Sequence, residues 1–157
     1  MNNEGSGMYL DDVEVGQIFK SESYVMEVGR IKEFACEFDP QPFHIDESAA
    51  KESVFRGLAA SGWHTAAVAM WLLTRSGLRF ADGILGLGAE VSWPRPTRPG
   101  DILQMDTEIV EIRPSQSKPE RGIVTIRSTM LNQNGETVYL LKAKLLVPRH
   151  PTRYLTS

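Results

Sequence analysis

The segment from Ser61 to Leu73 constrains the fold more than any other part of the sequence, because a helix formed by it would be apolar on nearly every side. After Ser61-Gly62 it contains two tryptophans, three alanines, a valine, a methionine and two leucines. A surface helix carries a polar face, so this helix is predicted to be largely buried. Ser61 is its predicted N-cap, and Gly77 is its predicted end.

The sequence after Leu85 is dominated by extended segments rich in valine, isoleucine and threonine. Asn134-Gly135 between the last two segments is a strong hairpin signal, and Pro99-Gly100 marks another turn. Such short connections join antiparallel neighbours. The predicted strands are residues 89–93, 101–113, 122–132 and 136–147.

Before the apolar helix, the sequence predicts one more strand and a short helix. Residues 17–28 mix apolar and polar side chains as a strand does, and Gly29 is its predicted end. Residues 31–38 carry apolar side chains at helical spacing. Residues 40–60 are predicted to form a long ordered excursion, that is, a connection between two helices, with a short helical run at 46–52. The prediction is an α+β fold, in which an antiparallel sheet of about five or six strands wraps one long central helix.

Length and composition are those of one folded domain. The chain has 157 residues, of which 41% are hydrophobic, and this is enough to bury a core. We expect a single domain over residues 1–157, with its core at about 17–147. Residues 1–8 are mostly small and polar, and they are predicted to be disordered.

Charge and cysteine content argue against several classes of protein. The formal net charge is -3, whereas a general nucleic-acid binder carries a basic face. Cys36 is the only cysteine, so no intramolecular disulfide is possible. The chain shows neither a secretory signal nor an apolar stretch near the ~20 residues of a membrane span, and its histidines lack metal-ligand spacing. We therefore expect a cytoplasmic protein that binds no metal, nucleic acid or membrane.

A carboxylate and an imidazole lie five residues apart in the segment DPQPFH, residues 39–44. Each proline fixes its own φ and keeps the preceding residue out of the helical region, so the connecting backbone is stiff. Both side chains can then point into one cleft, within reach of one water or one substrate atom. The pair predicts acid/base chemistry by Asp39 and His44.

This segment resembles the signature of the MaoC-like dehydratases, hot-dog-fold proteins that include the R-specific enoyl-CoA hydratases. Their signature is aspartate, any residue, asparagine, proline, an apolar residue and histidine, which aligns with residues 39–44. In that family the aspartate and histidine hold the water that is added or removed. The peptide N–H of a glycine that opens the central helix binds the thioester oxygen, and the matching glycine is Gly62. The family's element order agrees with the order predicted for residues 17–147.

The resemblance implies an acyl-CoA hydratase/dehydratase that adds water reversibly to a 2-enoyl-CoA thioester and gives a 3-hydroxyacyl-CoA. It implies no cofactor, because coenzyme A is part of the substrate, and it implies a homodimer or an assembly of dimers. The implied catalytic residues are Asp39, His44 and Gly62. The implied substrate contacts are Gln41, Phe43, Ser61 and Trp63.

Two positions depart from the family pattern, and two other functions stay open. Gln41 stands where asparagine is usual, and Met70 stands where some hydratases carry a polar residue two turns beyond the glycine. A hot-dog thioesterase would instead hydrolyse acyl-CoA and release a thiol, without needing the pair in residues 39–44. A non-catalytic subunit would bind an acyl thioester without turnover. The acyl group, its carrier and the division of roles between Asp39 and His44 are also open.

Overall fold

The computed structural model describes residues 7–152, which form a six-stranded antiparallel sheet and four α-helices. The strands are β1 (Ile18–Lys20), β2 (Tyr24–Val25), β3 (Leu85–Ser92), β4 (Ile102–Pro114), β5 (Arg121–Leu131) and β6 (Thr137–Pro148). The helices are α1 (Val28–Phe38), α2 (Pro42–Ile45), α3 (Glu47–Lys51) and α4 (Gly62–Leu73). The α+β class and the strand number are as predicted. No helix within residues 7–152 has the length and apolar character to cross a membrane.

The sheet follows the order β1-β4-β5-β6-β3, and β2 also pairs with β4. Asn134-Gly135 connects β5 to β6 with a φ of 74° at Gly135, a left-handed conformation that glycine adopts without strain. The predicted hairpin is therefore confirmed. Among the described residues β3 pairs only with β6, so β3 forms one edge of the sheet.

The core lies between α4 and the inner face of the sheet. Alternate residues of a strand point to the same face, and the inward residues of the long strands are buried and mostly apolar, with Thr107 and Ser128 as a hydrogen-bonded polar pair among them. Each such side chain contributes about 1.5–3 kcal/mol when it is fully removed from water. The largest fully buried members on β4 and β5 are Leu103, Met105, Ile109, Val124, Ile126 and Met130, and α4 adds Val68, Ala69, Leu72 and Leu73.

The structure corrects the prediction that α4 is largely buried. Leu72 is 0% exposed, but Trp63 is 62%, Met70 45% and Trp71 37% exposed. The sheet of one chain covers only one side of a helix, so the opposite side stays uncovered although its residues are apolar. An uncovered apolar surface of this kind marks an interaction site more often than a free surface.

The first predicted strand is interrupted, and the first predicted helix starts early. Ser21 lies between β1 and β2, where its N–H donates to the Met105 carbonyl and its Oγ accepts from the Met105 N–H, both at 2.9 Å. A side chain therefore replaces the main-chain carbonyl that a continuous strand would use. Gly29 does not end the strand as predicted, because α1 already begins at Val28.

The prediction of disorder over residues 1–8 is wrong at Met8. The Met8 N–H donates to the Arg79 carbonyl at 2.6 Å, and the Met8 carbonyl accepts from the Ala81 N–H at 3.0 Å. Met8 is therefore bridged to the segment after α4. Residues 1–6 lie outside the described residues.

The excursion between α1 and α4 holds two short helices. The predicted run at 46–52 is α3, whose N-cap Asp46 accepts from the N–H groups of Ser48 and Ala49 at 2.8 and 3.1 Å. The sequence did not predict α2, which begins at Pro42. Proline suits this first position because the N–H that it lacks would have no partner there.

Candidate active site

Asp39 and His44 lie side by side at the junction of α1 and α2. Asp39 follows the last residue of α1, where its N–H donates to the Ala35 carbonyl at 2.9 Å, and Pro40 prevents further helix. Pro42 then opens α2, which carries His44. These two changes of direction bring Asp39 Oδ2 to 3.3 Å from His44 Nε2. The structure therefore brings the predicted pair together.

A main-chain carbonyl holds the His44 ring in one tautomer. His44 is 4% exposed, and its Nδ1 lies 2.6 Å from the Ala59 carbonyl oxygen. A carbonyl oxygen can only accept a hydrogen bond, so Nδ1 carries the hydrogen and Nε2 of the neutral ring carries the lone pair. Nε2 is then the atom that gains or loses a proton, and it faces Asp39.

Both oxygens of the Asp39 carboxylate accept hydrogen bonds. Ser61 Oγ donates to Oδ2 at 2.7 Å, and Gln41 Nε2 donates to Oδ1 at 2.6 Å. Partial burial acts to raise the pKa of Asp39, but the hydrogen bonds from Ser61 and Gln41, with a further effect of His44 when its ring is protonated, outweigh burial and hold that pKa below its ordinary value of 3.8. Asp39 is therefore ionised at neutral pH.

Ser61 supports Asp39 and caps α4 at the same time. Its Oγ donates to Asp39 and accepts from the Trp63 N–H at 3.3 Å, so the predicted N-cap is confirmed. Ser61 is also 0% exposed and does not line the cleft described below. This corrects the expected substrate contact at Ser61. Its hydroxyl is buried, and it already donates one hydrogen bond and accepts another.

Gly62 opens α4 and lies directly against the indole of Trp93. Trp93 Nε1 donates to the Gly62 carbonyl at 2.9 Å, and a Cβ on Gly62 would lie 2.8 Å from Trp93 Cε2. Only glycine admits the indole at this distance. Within residues 7–152 the Gly62 N–H donates to no group, as is usual in the first turn of a helix.

A cleft of about 430 Å³ opens these groups to solvent. It is lined by six of the seven predicted site residues, namely Asp39, Gln41, Phe43, His44, Gly62 and Trp63. Sequence reasoning missed four of its other walls, which are Phe55, Trp93, Arg95 and Thr97. The proline-containing segment WPRPT, residues 93–97, was a usable signal for the last three, whereas Phe55 lies in an irregular loop without one.

Aromatic side chains form two sides of the cleft. Phe43 packs edge-on against Phe55 and against the His44 ring, with centroids 5.0 and 4.6 Å apart. On the other side Trp63 and Trp93 meet edge-to-face at 5.3 Å. An apolar group can therefore lie in the cleft beside the carboxylate and the imidazole.

Met70, the second departure from the family pattern, lies outside this cleft. It lines a separate apolar cavity of about 190 Å³ between α4 and the inner faces of β3 and β6, which Ala69, Leu73, Ala89 and Ala143 also line. A methionine suits such a site because it fills irregular apolar space.

Among residues 7–152, the histidine, cysteine and acidic side chains outside the cleft do not form a metal site. In the part of the chain that the structure describes, no three His, Cys, Asp or Glu side chains are placed to hold a metal ion. His64 stacks on Phe34 at 4.7 Å, and burial together with the charge of Arg30 lowers its pKa. The His64 ring is therefore neutral. It packs between α4 and α1 and does not line the cleft.

Proteins similar to this chain share its fold. The family model described as "MaoC like domain" matches residues 13–130. A crystal structure of the MaoC-like dehydratase from Rhodospirillum rubrum is 56% identical, has a TM-score of 0.90 and covers 92% of this chain and 99% of that chain. The uncharacterized protein YdeM of Bacillus subtilis (strain 168) is 33% identical over 143 residues, which are 90% of this chain and 100% of that protein.

More distant structures agree in fold. The R-hydratase PhaJ1 from Pseudomonas aeruginosa is 24% identical, has a TM-score of 0.72 and covers 92% of this chain and 88% of that chain. The architecture is the expected hot-dog fold, a central helix wrapped by an antiparallel sheet. The family match includes residues 39–44 and the whole of α4. The chain therefore belongs to the MaoC-like dehydratase family.

Proposed function

We propose that this protein is an acyl-CoA hydratase/dehydratase, which adds water reversibly to a 2-enoyl-CoA thioester and forms a 3-hydroxyacyl-CoA. One observation carries the proposal: Asp39, His44 and Gly62, whose N–H is unpaired within residues 7–152, line the same cleft. Membership of the MaoC-like dehydratase family supports the reaction class. The acyl group and its carrier are left open.

Adding water to the double bond requires a base for the water and an acid for C2. We assign the base to His44 Nε2, because the bond from Nδ1 to the Ala59 carbonyl leaves the lone pair on Nε2, whereas the lowered pKa makes Asp39 a weak base. In this scheme the water lies beside Asp39 and Nε2, within hydrogen-bond reach of both, and its oxygen attacks C3 as its proton moves to Nε2. The resulting imidazolium supplies a proton to C2, and the reverse sequence is dehydration.

The Gly62 N–H is the donor for the thioester oxygen. It lies in the first turn of α4, where the helix dipole favours negative charge, and negative charge develops on that oxygen as C3 is attacked. Loss of one such donor typically costs on the order of 10²- to 10³-fold in rate. Phe43 and Trp63 supply apolar contact to the substrate, while the Gln41 amide mainly holds Asp39.

A second copy of the chain is the proposed occupant of the uncovered side of α4. Met70 of α4 and Gly86 of β3 line the same cavity, so the exposed side of α4 borders β3. Leu85 and Leu87 on β3 are 52% and 53% exposed, and within residues 7–152 β3 is an edge strand with unpaired main-chain groups. Apolar edges of this kind are rarely left open, and two copies that join β3 to β3 would cover both features.

Replacing either member of the acid/base pair should abolish hydration. With crotonyl-CoA as substrate, we expect Asp39→Asn and His44→Ala each to lower kcat/KM by about 10²- to 10⁴-fold, measured as loss of the enoyl absorbance. The matched controls are Asp106→Asn at an exposed residue and His150→Ala at a half-buried one, both outside the cleft. Full activity in both site variants would disprove the mechanism. Release of free thiol would indicate a thioesterase, and acyl-CoA binding without turnover would indicate a non-catalytic subunit.

Removing the Ser61 hydroxyl should raise the pKa of Asp39. The pKa of Asp39 is lowered in the folded protein, so its ionised form stabilises the fold above pH 3.8 and this contribution is lost as the pH falls through the folded pKa. Ser61→Ala removes one of the hydrogen bonds that lower it, and loss of the N-cap should cost about 0.5–2 kcal/mol. A carbon-13 titration of the Asp39 carboxyl group measures the change, with exposed Ser48→Ala as the control. An unchanged pKa would contradict the prediction.

The need for glycine at position 62 should depend on Trp93. Gly62→Ala would push the indole away, so we expect a marked loss of kcat/KM in the wild-type background. In a Trp93→Leu background the methyl group has room and the N–H is kept, so the same change should have little effect. The expected coupling energy of this double-mutant cycle is about 1–3 kcal/mol. An equal loss in both backgrounds would show that the added methyl group itself obstructs the substrate.

The chain should form a dimer through β3. Light scattering should give twice the chain mass of 17.5 kDa, and Leu87→Lys should lower it to the mass of one chain, because lysine opposes edge pairing. Leu131→Lys, at the 37% exposed end of β5, is the control. A wild-type mass of one chain, or a Leu87→Lys variant that remains a dimer, would contradict this interface.

A further inference from the structure

Within the described residues, the guanidinium group of Arg98 donates hydrogen bonds to main-chain oxygens only. Its two terminal nitrogens donate to the carbonyl groups of Phe55, Gly57 and Leu58, with the bonds to Gly57 and Leu58 at 2.9 and 3.3 Å. No salt bridge of Arg98 occurs within residues 7–152. A half-buried arginine that forms no salt bridge among the described residues, and whose two terminal nitrogens both bond to one loop, serves to fix that loop.

The loop fixed by Arg98 is the one that sets the His44 tautomer. Ala59, directly after the three clamped carbonyls, accepts the His44 Nδ1 hydrogen at 2.6 Å and donates its own N–H to the Phe43 carbonyl at 3.2 Å. The clamped Phe55 also places its ring beside Phe43. The loop has no helix or strand of its own, and Arg56 within it has a φ of 57°, so its shape depends on contacts from outside.

Arg98 itself stands on a rigid support. Its N–H donates to Asp101 Oδ2 at 2.8 Å, and Gln133 Nε2 holds the other oxygen of Asp101 at 3.0 Å. The preceding residue, Thr97, accepts the Ala60 N–H at 2.9 Å. The turn before β4 is therefore joined to both ends of the loop, through Arg98 at residues 55–58 and through Thr97 at Ala60.

We propose that Arg98 is a positioning residue, which fixes the tautomer and orientation of His44 through the loop of residues 55–59. Arg98 does not line the cleft, so it acts through the loop without touching the substrate. The fixed hydrogen on Nδ1 keeps the lone pair of Nε2 aimed at the water beside Asp39. The effect of Arg98 on activity rests on the function proposed above, but its effect on the His44 ring does not.

Nitrogen-15 spectra of His44 test the proposal directly. At about pH 9, where an ordinary imidazole is neutral, the wild-type protein should show the hydrogen on Nδ1. Arg98→Met should shift His44 toward a mixture that includes the Nε2–H form, which free imidazole favours. Arg98→Lys should lie between them, because one ammonium group cannot replace a planar fork that reaches three carbonyls. Arg127→Met, which removes an exposed arginine paired with Glu108, is the control.

Kinetics separate the positioning role from general loss of structure. In folded Arg98→Met, kcat for crotonyl-CoA should fall about 10- to 100-fold, while KM should change little, because the walls of the cleft are kept. Wild-type His44 signals and wild-type kcat in folded Arg98→Met or Arg98→Lys would overturn the proposal. If Arg98→Met does not fold, the same criteria apply to Arg98→Lys. An altered tautomer in a protein whose wild type hydrates no enoyl thioester would support the role of Arg98 and refute the proposed function.

Discussion

The hydrogen bond from Ser61 Oγ to Asp39 Oδ2, 2.7 Å long, joins the start of α4 to the end of α1. The same oxygen caps α4 through the Trp63 N–H. A serine in this place therefore serves helix stability and site geometry with one atom. Because Ser61 is fully buried, its hydroxyl has no water to bond with, and loss of Asp39 as acceptor would leave an unpaired polar group in the core.

The sheet takes part in the site through the segment that follows β3. Trp93 comes directly after β3, and its indole bonds to the Gly62 carbonyl and leaves no room for a side chain on Gly62. This contact therefore fixes where the first turn of α4, with the Gly62 N–H group, lies relative to the sheet. Thr97 and Arg98, in the turn that leads to β4, hold the loop before α4. Both sides of the cleft thus depend on one segment between two strands.

Local patterns predicted much of this arrangement. Residues 39–44 predicted that Asp39 and His44 meet in one cleft, because two prolines shape that backbone without outside help, and the hairpin at Asn134-Gly135 is equally local. The particular contacts that Ala59 and Trp93 make could not be predicted from local patterns, because a carbonyl oxygen has no sequence identity and the indole meets Gly62 only when the sheet is formed. The uncovered side of α4 was missed for a related reason. Apolar periodicity shows that a face avoids water, but not whether the same chain covers it.

The charges of the proposed reaction explain why the His44 tautomer matters. The ionised Asp39 and the developing enolate would place two negative charges near the first turn of α4, and like charges at short distance disfavour each other. The helix dipole compensates only part of this charge. A proton on His44 Nε2, 3.3 Å from Asp39 Oδ2, supplies a positive charge between them at the moment when water attacks. With the hydrogen on Nε2 in the neutral ring instead, that proton could not be accepted there, and the enolate would form without the compensating charge. The bond from Nδ1 to the Ala59 carbonyl is thus a condition for the electrostatics of the whole cleft.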